Sequence, residues 1–125
     1  MKLLLDTQII IWIWDQPNKV RGKSRRMLDD LKNELFVSAL SFYEIGLKRA
    51  LGKLDFKYDL ELAARHESYN LLDLNFNHCQ RAANLPLHHR DPFDRLIIAQ
   101  SIEERIPLIT SDKQIHQYDF EFIPH

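Results

Sequence analysis

The chain has 125 residues, 45% of them hydrophobic, and its 17 Lys and Arg against 18 Asp and Glu give a formal net charge of −1. This length predicts a single domain over residues 1–125, and the apolar content excludes a disordered chain. The balanced charge excludes a globally basic nucleic-acid-binding protein, although a local basic patch remains compatible with it.

Short apolar segments alternate with helical segments along the chain, and each apolar segment is typical of a strand buried on both faces. In chain order we predict a strand at 2–5, a helix at 7–14, an amphipathic helix at 22–33 with Met27, Leu28 and Leu31 on its apolar face, a strand at 34–38, a helix at 41–52, a helix at 58–69, a strand at 70–74, a short helix at 78–85, a helix at 94–105, a strand at 107–110, a helical turn at 112–118 and a terminal strand at 120–123. The alternation predicts an α/β fold of three layers, α/β/α, with a central, mainly parallel sheet of about five short strands and right-handed crossovers.

The single cysteine and the longest apolar run bear on the cellular compartment. Cys79 has no partner for an internal disulfide, and we expect a small, buried apolar side chain in a reducing environment. The run IIIWIW at 9–14 is far shorter than the roughly 20 residues that span a bilayer. It also lacks the flanks of a secretory signal. We therefore expect a cytoplasmic protein without a membrane segment.

Four acidic residues map to one edge of the predicted sheet, beyond the carboxyl ends of the strands, where binding sites form in such folds. Asp6 directly follows the first strand, and Glu44 lies about one turn into the helix after the second. Asp94 opens the helix that precedes the strand at 107–110, and Asp112 follows that strand. Carboxylates held close together repel and raise one another's pKa, so a cation normally holds such a cluster together.

Each acid also has a purely structural explanation. Asp6 and Asp112 could each cap the helical segment that follows. Glu44 could complete a capping box with Ser41 or form an i,i+4 ion pair with Lys48. Together these explanations are less convincing than each is alone. Capping does not require an acid at every position, because Ser, Thr and Asn cap helices as well as acids do.

The segment HHRDPFDRLIIAQ at 88–100 contains two aspartates around a proline. Asp91 is typical of an N-cap and Pro92 of the first helical residue, and Asp94 then lies in the first turn, near the positive end of the helix dipole. We assign Asp91 mainly to capping and Asp94 to the acidic cluster.

The candidate ligands of the cluster are all oxygens, which suits Mg²⁺ or Mn²⁺. Zinc is disfavoured, because His88 and His89 are adjacent rather than at i,i+4 and Cys79 has no nearby partner. A Gly-rich phosphate loop and a G-x-S-x-G nucleophile elbow are both absent from the sequence.

Four segments of the chain resemble the PIN-domain family, and most closely the VapC-like toxin ribonucleases of bacterial toxin–antitoxin pairs. They are LLLDT at 3–7, VSALSFYEIGLK at 37–48, HHRDPFDRLIIAQ at 88–100 and LITSD at 108–112. They occur in the family's order and cover nearly the whole length. The DPFDR block, which contains Asp91, is typical of a subgroup rather than of the wider family.

The resemblance implies a PIN-like fold and a metal-dependent endoribonuclease with four catalytic acids around one or two Mg²⁺ or Mn²⁺ ions. By position these acids are Asp6, Glu44, Asp94 and Asp112. Thr7 and Thr110 match hydroxyl positions that line the same site, and Asp91 is a cap that also supports it. Lys48 and Arg95, next to candidate ligands, are our candidates for binding RNA phosphates. The resemblance also implies a homodimer and a small antitoxin protein that covers the acidic site.

The run at 9–14 independently suggests self-association, because one helix cannot direct all six apolar side chains at its own sheet. Either a second subunit covers the remaining face or the helix at 22–33 does so within one chain.

Other functional classes fit less well. A phospho-acceptor receiver needs an acidic pair after the first strand, which supplies only Asp6, and a D-x-D phosphatase fails because residue 8 is Gln. A non-catalytic PIN fold that binds RNA or a protein remains the alternative to the enzyme.

Overall fold

A computed structural model describes residues 1–125. The protein forms one five-stranded sheet with helices on both faces. In chain order the elements are β1 (Lys2–Leu5), α1 (Thr7–Asp15), a 3₁₀ turn (Pro17–Lys19), α2 (Gly22–Asp29), β2 (Glu34–Ser38), α3 (Ala39–Ala50), α4 (Leu60–Ala64), β3 (Tyr69–Leu72), α5 (Phe76–Ala83), α6 (Pro92–Glu104), β4 (Leu108–Thr110), a second 3₁₀ turn (Ile115–Gln117) and β5 (Phe122–Pro124).

The sheet is parallel throughout, with strand order β3-β2-β1-β4-β5. In the register of the central strands, Leu5 of β1 pairs with Val37 of β2 and with Ile109 of β4. The residues that follow these three lie side by side at the carboxyl edge of the sheet. This register brings Asp6 next to Ser38 and Thr110, the last residues of β2 and β4.

The two faces of the sheet are covered by different helices, as the alternation of side chains along β1 shows. Leu3 and Leu5 pack on one face in a core that includes residues of α1 and α3. Leu4 points to the other face, where it packs with Ile97 and Ile98 of α6. All three leucines are fully buried. The predicted three-layer α/β/α architecture with a parallel sheet of five short strands is therefore confirmed.

Two predicted helices are shorter than the sequence pattern suggested. The helix predicted at 22–33 ends at Asp29, and Leu31, which we had placed on its apolar face, is fully exposed. The helix predicted at 58–69 spans only Leu60–Ala64. Tyr69 instead opens β3, where it pairs with Leu35. In both cases the helical pattern continued into residues that the chain uses to reach the next strand.

Cys79 corrects a further prediction. Its side chain is exposed on α5 rather than buried. The helix presents His78 and Ala82 to the core instead, because these two positions are four residues apart and lie on one face.

The apolar run at 9–14 is covered within the chain. Residues 9–11 are buried, and residues 12–14 are half-buried and pack against the same core. Met27 and Leu28 of α2 pack there as well. The run therefore packs largely within the chain, partly against α2, and the homodimer stays a prediction. None of the helices has the length and apolar content needed to cross a membrane.

Candidate active site

Asp6 lies at the junction of β1 and α1 and is almost completely buried, with 5% of its surface exposed. Its backbone N–H donates to Ile109 O of the neighbouring strand, which fixes its position at the sheet edge. Its carboxylate accepts from the N–H of Thr7 at 2.8 Å and from the hydroxyl of Thr110 at 2.6 Å. Asp6 therefore both caps α1 and places one oxygen against β4.

Burial raises the pKa of Asp6 to about 6, although the hydrogen bonds from Thr110 and Thr7 act in the opposite direction. Repulsion from Glu44 and Asp112 raises the pKa further. The three carboxylates are thus close enough to influence one another electrostatically.

Glu44 reaches the same site from α3, although not in the way that a capping box would require. Ser38, the last residue of β2, is the N-cap, and its hydroxyl accepts from the N–H of Leu40. The alternative capping box of Ser41 with Glu44 is therefore wrong. The Ser41 hydroxyl accepts instead from the hydroxyl of Thr7, at 2.9 Å, and so ties α3 to α1.

The carboxylate of Glu44 is buried and forms an ion pair with Lys48 one turn later, at 2.8 Å. This contact raises the pKa of Lys48, as do the nearby Asp91 and Asp94. Lys48 is half-exposed, so its ammonium lies at the rim of an acidic site.

Asp91 and Asp94 have different structural roles at the start of α6. Asp91 is the N-cap: Oδ1 accepts from the N–H of Phe93 at 2.9 Å and from that of Asp94 at 3.2 Å. The side chain of Asp94 makes no capping bond. Burial, followed by repulsion from Asp91, raises its pKa to about 8, and Asp6, Asp112 and Glu44 add to the effect.

His89 contacts Asp94 directly, and sequence analysis did not assign it a place in the site. Its Nε2 lies 3.1 Å from Asp94 Oδ2, and its Nδ1 lies 2.8 Å from the hydroxyl of Tyr118. Arg95 donates to the same hydroxyl at 3.2 Å. With Asp94 ionised, one arrangement of protons satisfies the chain, in which Arg95 donates to Tyr118, Tyr118 to His89 and His89 to Asp94.

Arg95 is a structural residue, which corrects its predicted role in binding phosphate. Only 9% of its surface is exposed. Besides Tyr118, its guanidinium donates to the backbone carbonyls of Ala82, Leu85 and Pro86, all at 2.8–2.9 Å. A guanidinium with its donors committed in this way ties the end of α5 and the loop after it to α6.

Asp112 lies two residues beyond β4, and its backbone N–H donates to the hydroxyl of Thr110. Its Oδ1 accepts from the N–H of Gln114 at 2.9 Å, which is a local capping contact. Thr110 thus links two of the acids, because it accepts from the backbone of one and donates to the carboxylate of the other.

All four predicted acids line one pocket of about 390 Å³ at the carboxyl edge of the sheet. Thr7, Lys48 and Asp91 also line it, whereas Thr110 lies beneath Asp6 and is fully buried. Sequence position did not indicate Ser111, which lines the pocket together with Trp12. In this arrangement no three His, Cys, Asp or Glu side chains are placed to hold one metal ion together. Each acid instead contacts a neighbouring group of the protein.

Comparison with family models decides the classification of this fold. The model of the PIN domain matches residues 3–121 of the chain. The chain belongs to the PIN domain family. The resemblance that the four sequence segments indicated is therefore confirmed. Each of these segments contributes one of the four acids that line the pocket. The assignment to a DPFDR subgroup stays a prediction.

Solved structures of similar fold include several toxin–antitoxin systems. VapBC2 from Rickettsia felis, bound to a promoter DNA fragment, matches with a TM-score of 0.71 and 14% identity over 99% of the PIN chain and 98% of its own. A toxin–antitoxin complex from Klebsiella pneumoniae matches with a TM-score of 0.67 and 15% identity, over 97% of the PIN chain and 95% of its own. VapBC-1 from nontypeable Haemophilus influenzae matches with a TM-score of 0.67 and 23% identity, over 99% of the PIN chain and 98% of its own. No curated protein sequence matches this PIN domain significantly.

Proposed function

We propose that this PIN domain is a metal-dependent endoribonuclease that acts as the toxin of a toxin–antitoxin pair. The observation that carries the proposal is the convergence of Asp6, Glu44, Asp94 and Asp112, from four separate segments, on one pocket at the carboxyl edge of the sheet. Helix capping explains the contacts of Asp6 and Asp112 but not the positions of Glu44 and Asp94, because the cap of α3 is Ser38 and that of α6 is Asp91.

The donor set fits a hard divalent cation such as Mg²⁺ or Mn²⁺, because it consists of carboxylate oxygens alone. Burial chiefly raises the pKa values of Asp6 and Asp94, and repulsion among the neighbouring carboxylates raises them further, so a bound cation would relieve part of this cost. Asp6, Glu44, Asp94 and Asp112 would hold one or two ions. A bound divalent ion would lower the pKa of water and offset charge on the phosphate during an in-line displacement.

The residues of the chain have defined tasks in this reaction. Thr110 and the N–H of Thr7 fix the two oxygens of Asp6, so that this carboxylate does not rotate. Lys48 neutralises Glu44 in the absence of other cations. When Glu44 acquires another partner, Lys48 becomes free to contact a phosphate of the RNA at the pocket rim.

Purified protein and a labelled single-stranded RNA test the enzyme directly. We expect cleavage with Mn²⁺, none with chelator, and loss of cleavage in Asp94→Asn, which keeps the size of the side chain but removes its charge. Asp119→Asn is the matched control, because Asp119 is exposed and lies outside the pocket. RNA binding without cleavage under all metal conditions would favour the non-catalytic alternative.

A small antitoxin is the proposed protein partner, because solved structures of the same fold include toxin–antitoxin complexes. The acidic pocket is suited to an Arg or Lys of such a partner, which would compete for the carboxylates. Co-expression with any adjacent small gene, followed by purification, tests this partner. A complex that cleaves RNA as fast as the free toxin would contradict inhibition at the site. A homodimer remains a separate prediction, to be tested by light scattering.

A further inference from the structure

A second groove adjoins the acidic pocket and has the opposite charge. Its volume is about 730 Å³, and it shares Trp12 and Ser111 with the acidic pocket. Its lining includes Lys19, Arg21 and Lys23 but no Asp or Glu side chain. We call it the basic groove. A ligand that extends out of the acidic pocket past Trp12 would enter it directly.

The three cations of the basic groove are not neutralised by the protein. All three side chains are exposed, and none has a carboxylate within 4.0 Å. The ammonium of Lys19 lies 5.7 Å from the ring centre of Trp12, at the boundary with the acidic pocket. These charges are therefore available to an anion.

The amino terminus of α2 lies in the basic groove and lacks a cap. The other five α-helices each have an N-cap side chain that accepts a backbone N–H. Arg21 occupies that position in α2 and makes no such bond. The N–H groups of Gly22, Lys23 and Ser24 have no protein acceptor, and open space lies beside Gly22. Free N–H groups at a helix start favour anions.

Ser24 provides an independent sign that this place accepts a ligand. It lines the basic groove in the first turn of α2, and only 1% of its surface is exposed. Its buried hydroxyl has no hydrogen-bond partner. Buried hydroxyls in native proteins almost always have a partner, because an unsatisfied one destabilises the fold. An anion seated at this helix terminus would supply the missing acceptor.

We propose that the basic groove binds a backbone phosphate of the RNA, adjacent to the phosphate that is cleaved in the acidic pocket. Arg21 and Lys23 contact its oxygens, and the free N–H groups of α2 together with Ser24 complete the contact. Trp12 separates the two phosphates. The identity of the ligand as RNA rests on the proposed function, whereas the anion site rests on the groove itself.

Binding without cleavage tests this site. Anisotropy of a labelled single-stranded RNA, measured with chelator over a range of salt concentrations, gives the affinity and its salt dependence. We expect Arg21→Ala and Lys23→Ala each to weaken binding by roughly fivefold to tenfold and to reduce the slope of log K against log salt by about 0.7. Lys32→Ala is the matched control, because it removes an exposed charge from the loop before β2.

Ser24→Ala separates a phosphate site from a general attraction of charges. It leaves the charge unchanged, so we expect weaker binding with an unaltered salt slope. Amide resonances of residues 22–24 should shift when the RNA is added. Salt slopes in Arg21→Ala and Lys23→Ala that equal those of the wild type and of Lys32→Ala would overturn the proposal. So would unchanged amide resonances.

The test of the basic groove can succeed or fail independently of the test of RNA cleavage. RNA binding that depends on Arg21 and Lys23, in a protein that never cleaves, would support the groove and contradict the endoribonuclease. Metal-dependent cleavage with full affinity in both variants would contradict the groove and support the enzyme.

Discussion

The imidazole of His89 joins Asp94 to Tyr118: Nε2 lies 3.1 Å from Asp94 Oδ2, and Nδ1 lies 2.8 Å from the tyrosine hydroxyl. Both His89 and Tyr118 are largely buried, so the contact is shielded from water. The residue that we assign to metal binding is thus oriented by a chain of hydrogen bonds that begins at the buried guanidinium of Arg95.

His89→Ala should therefore weaken Mn²⁺ binding by about 10–100-fold, because this is the typical loss of metal affinity when a group that orients a metal ligand is removed. Calorimetric titration with Mn²⁺ measures the change. His89→Gln should restore part of the affinity, since its amide can still donate to Asp94. His88→Ala is the control: this exposed ring packs against Tyr118 but makes no bond to Asp94. Equal losses in the two alanine variants would contradict a positioning role for His89.

Asp91 and Asp94 should separate into a stability role and an activity role. Asp91→Ala removes the side chain that accepts two N–H groups at the start of α6. We expect the free energy of unfolding to fall by about 0.5–2 kcal/mol. Asp94→Ala should mainly abolish cleavage. Urea melts with chelator and RNA cleavage assays on both variants compare the two effects. The reverse ranking would mean that cap and metal ligand are exchanged.

The metal-free protein should lose stability as the pH rises from about 4 to about 8. The pKa of Asp6 is raised to about 6 and that of Asp94 to about 8, so the folded state binds more protons than the unfolded chain in this range. Stability then falls with pH, because the unfolded state releases its protons first. Urea melts with chelator across this range should show the decline, and Asp94→Asn should flatten its upper part. Stability that rises over the same range would contradict the raised pKa values.

Arg95→Lys should destabilise the fold rather than weaken substrate binding. A lysine cannot reproduce the fork that reaches three backbone carbonyls and Tyr118. We expect a loss on the order of 3 kcal/mol, because buried carbonyls lose donors that carry charge. Urea melts measure the loss. A variant of unchanged stability with a raised KM for RNA would return Arg95 to the role that the sequence suggested.

The sequence predicted the acidic cluster because sheet topology is a simple consequence of alternating elements. Once β1, β2 and β4 are parallel and adjacent, Asp6 and Asp112 must follow strands at the same edge. The DPFD pattern likewise distinguished the cap from the first-turn acid, since capping geometry depends on local spacing. The role of all four acids as metal ligands remains a prediction.

The sequence did not reveal contacts made by loops or the direction of long side chains. His89 and Tyr118 are 29 residues apart, and nothing in their spacing indicates that they meet. Arg95 has the same sequence context whether it faces the pocket or the interior. The carbonyls that it contacts lie at the end of α5 and in the loop beyond, whose path no periodicity predicts. The sequence also did not predict the uncapped start of α2, because only the structure shows which backbone N–H groups lack acceptors.

Calorimetric titration of Mn²⁺ into the metal-free protein at pH 7, in two buffers of different ionisation enthalpy, tests the central claim most directly. With a pKa of about 8, Asp94 is mostly protonated at this pH. The account predicts Mn²⁺ binding with release of about one proton, because a carboxylate must lose its proton to bind the ion. Asp94→Asn should abolish the proton release and most of the affinity. Failure to bind Mn²⁺, or equal binding and proton release by the variant, would contradict a divalent-metal site built on these carboxylates.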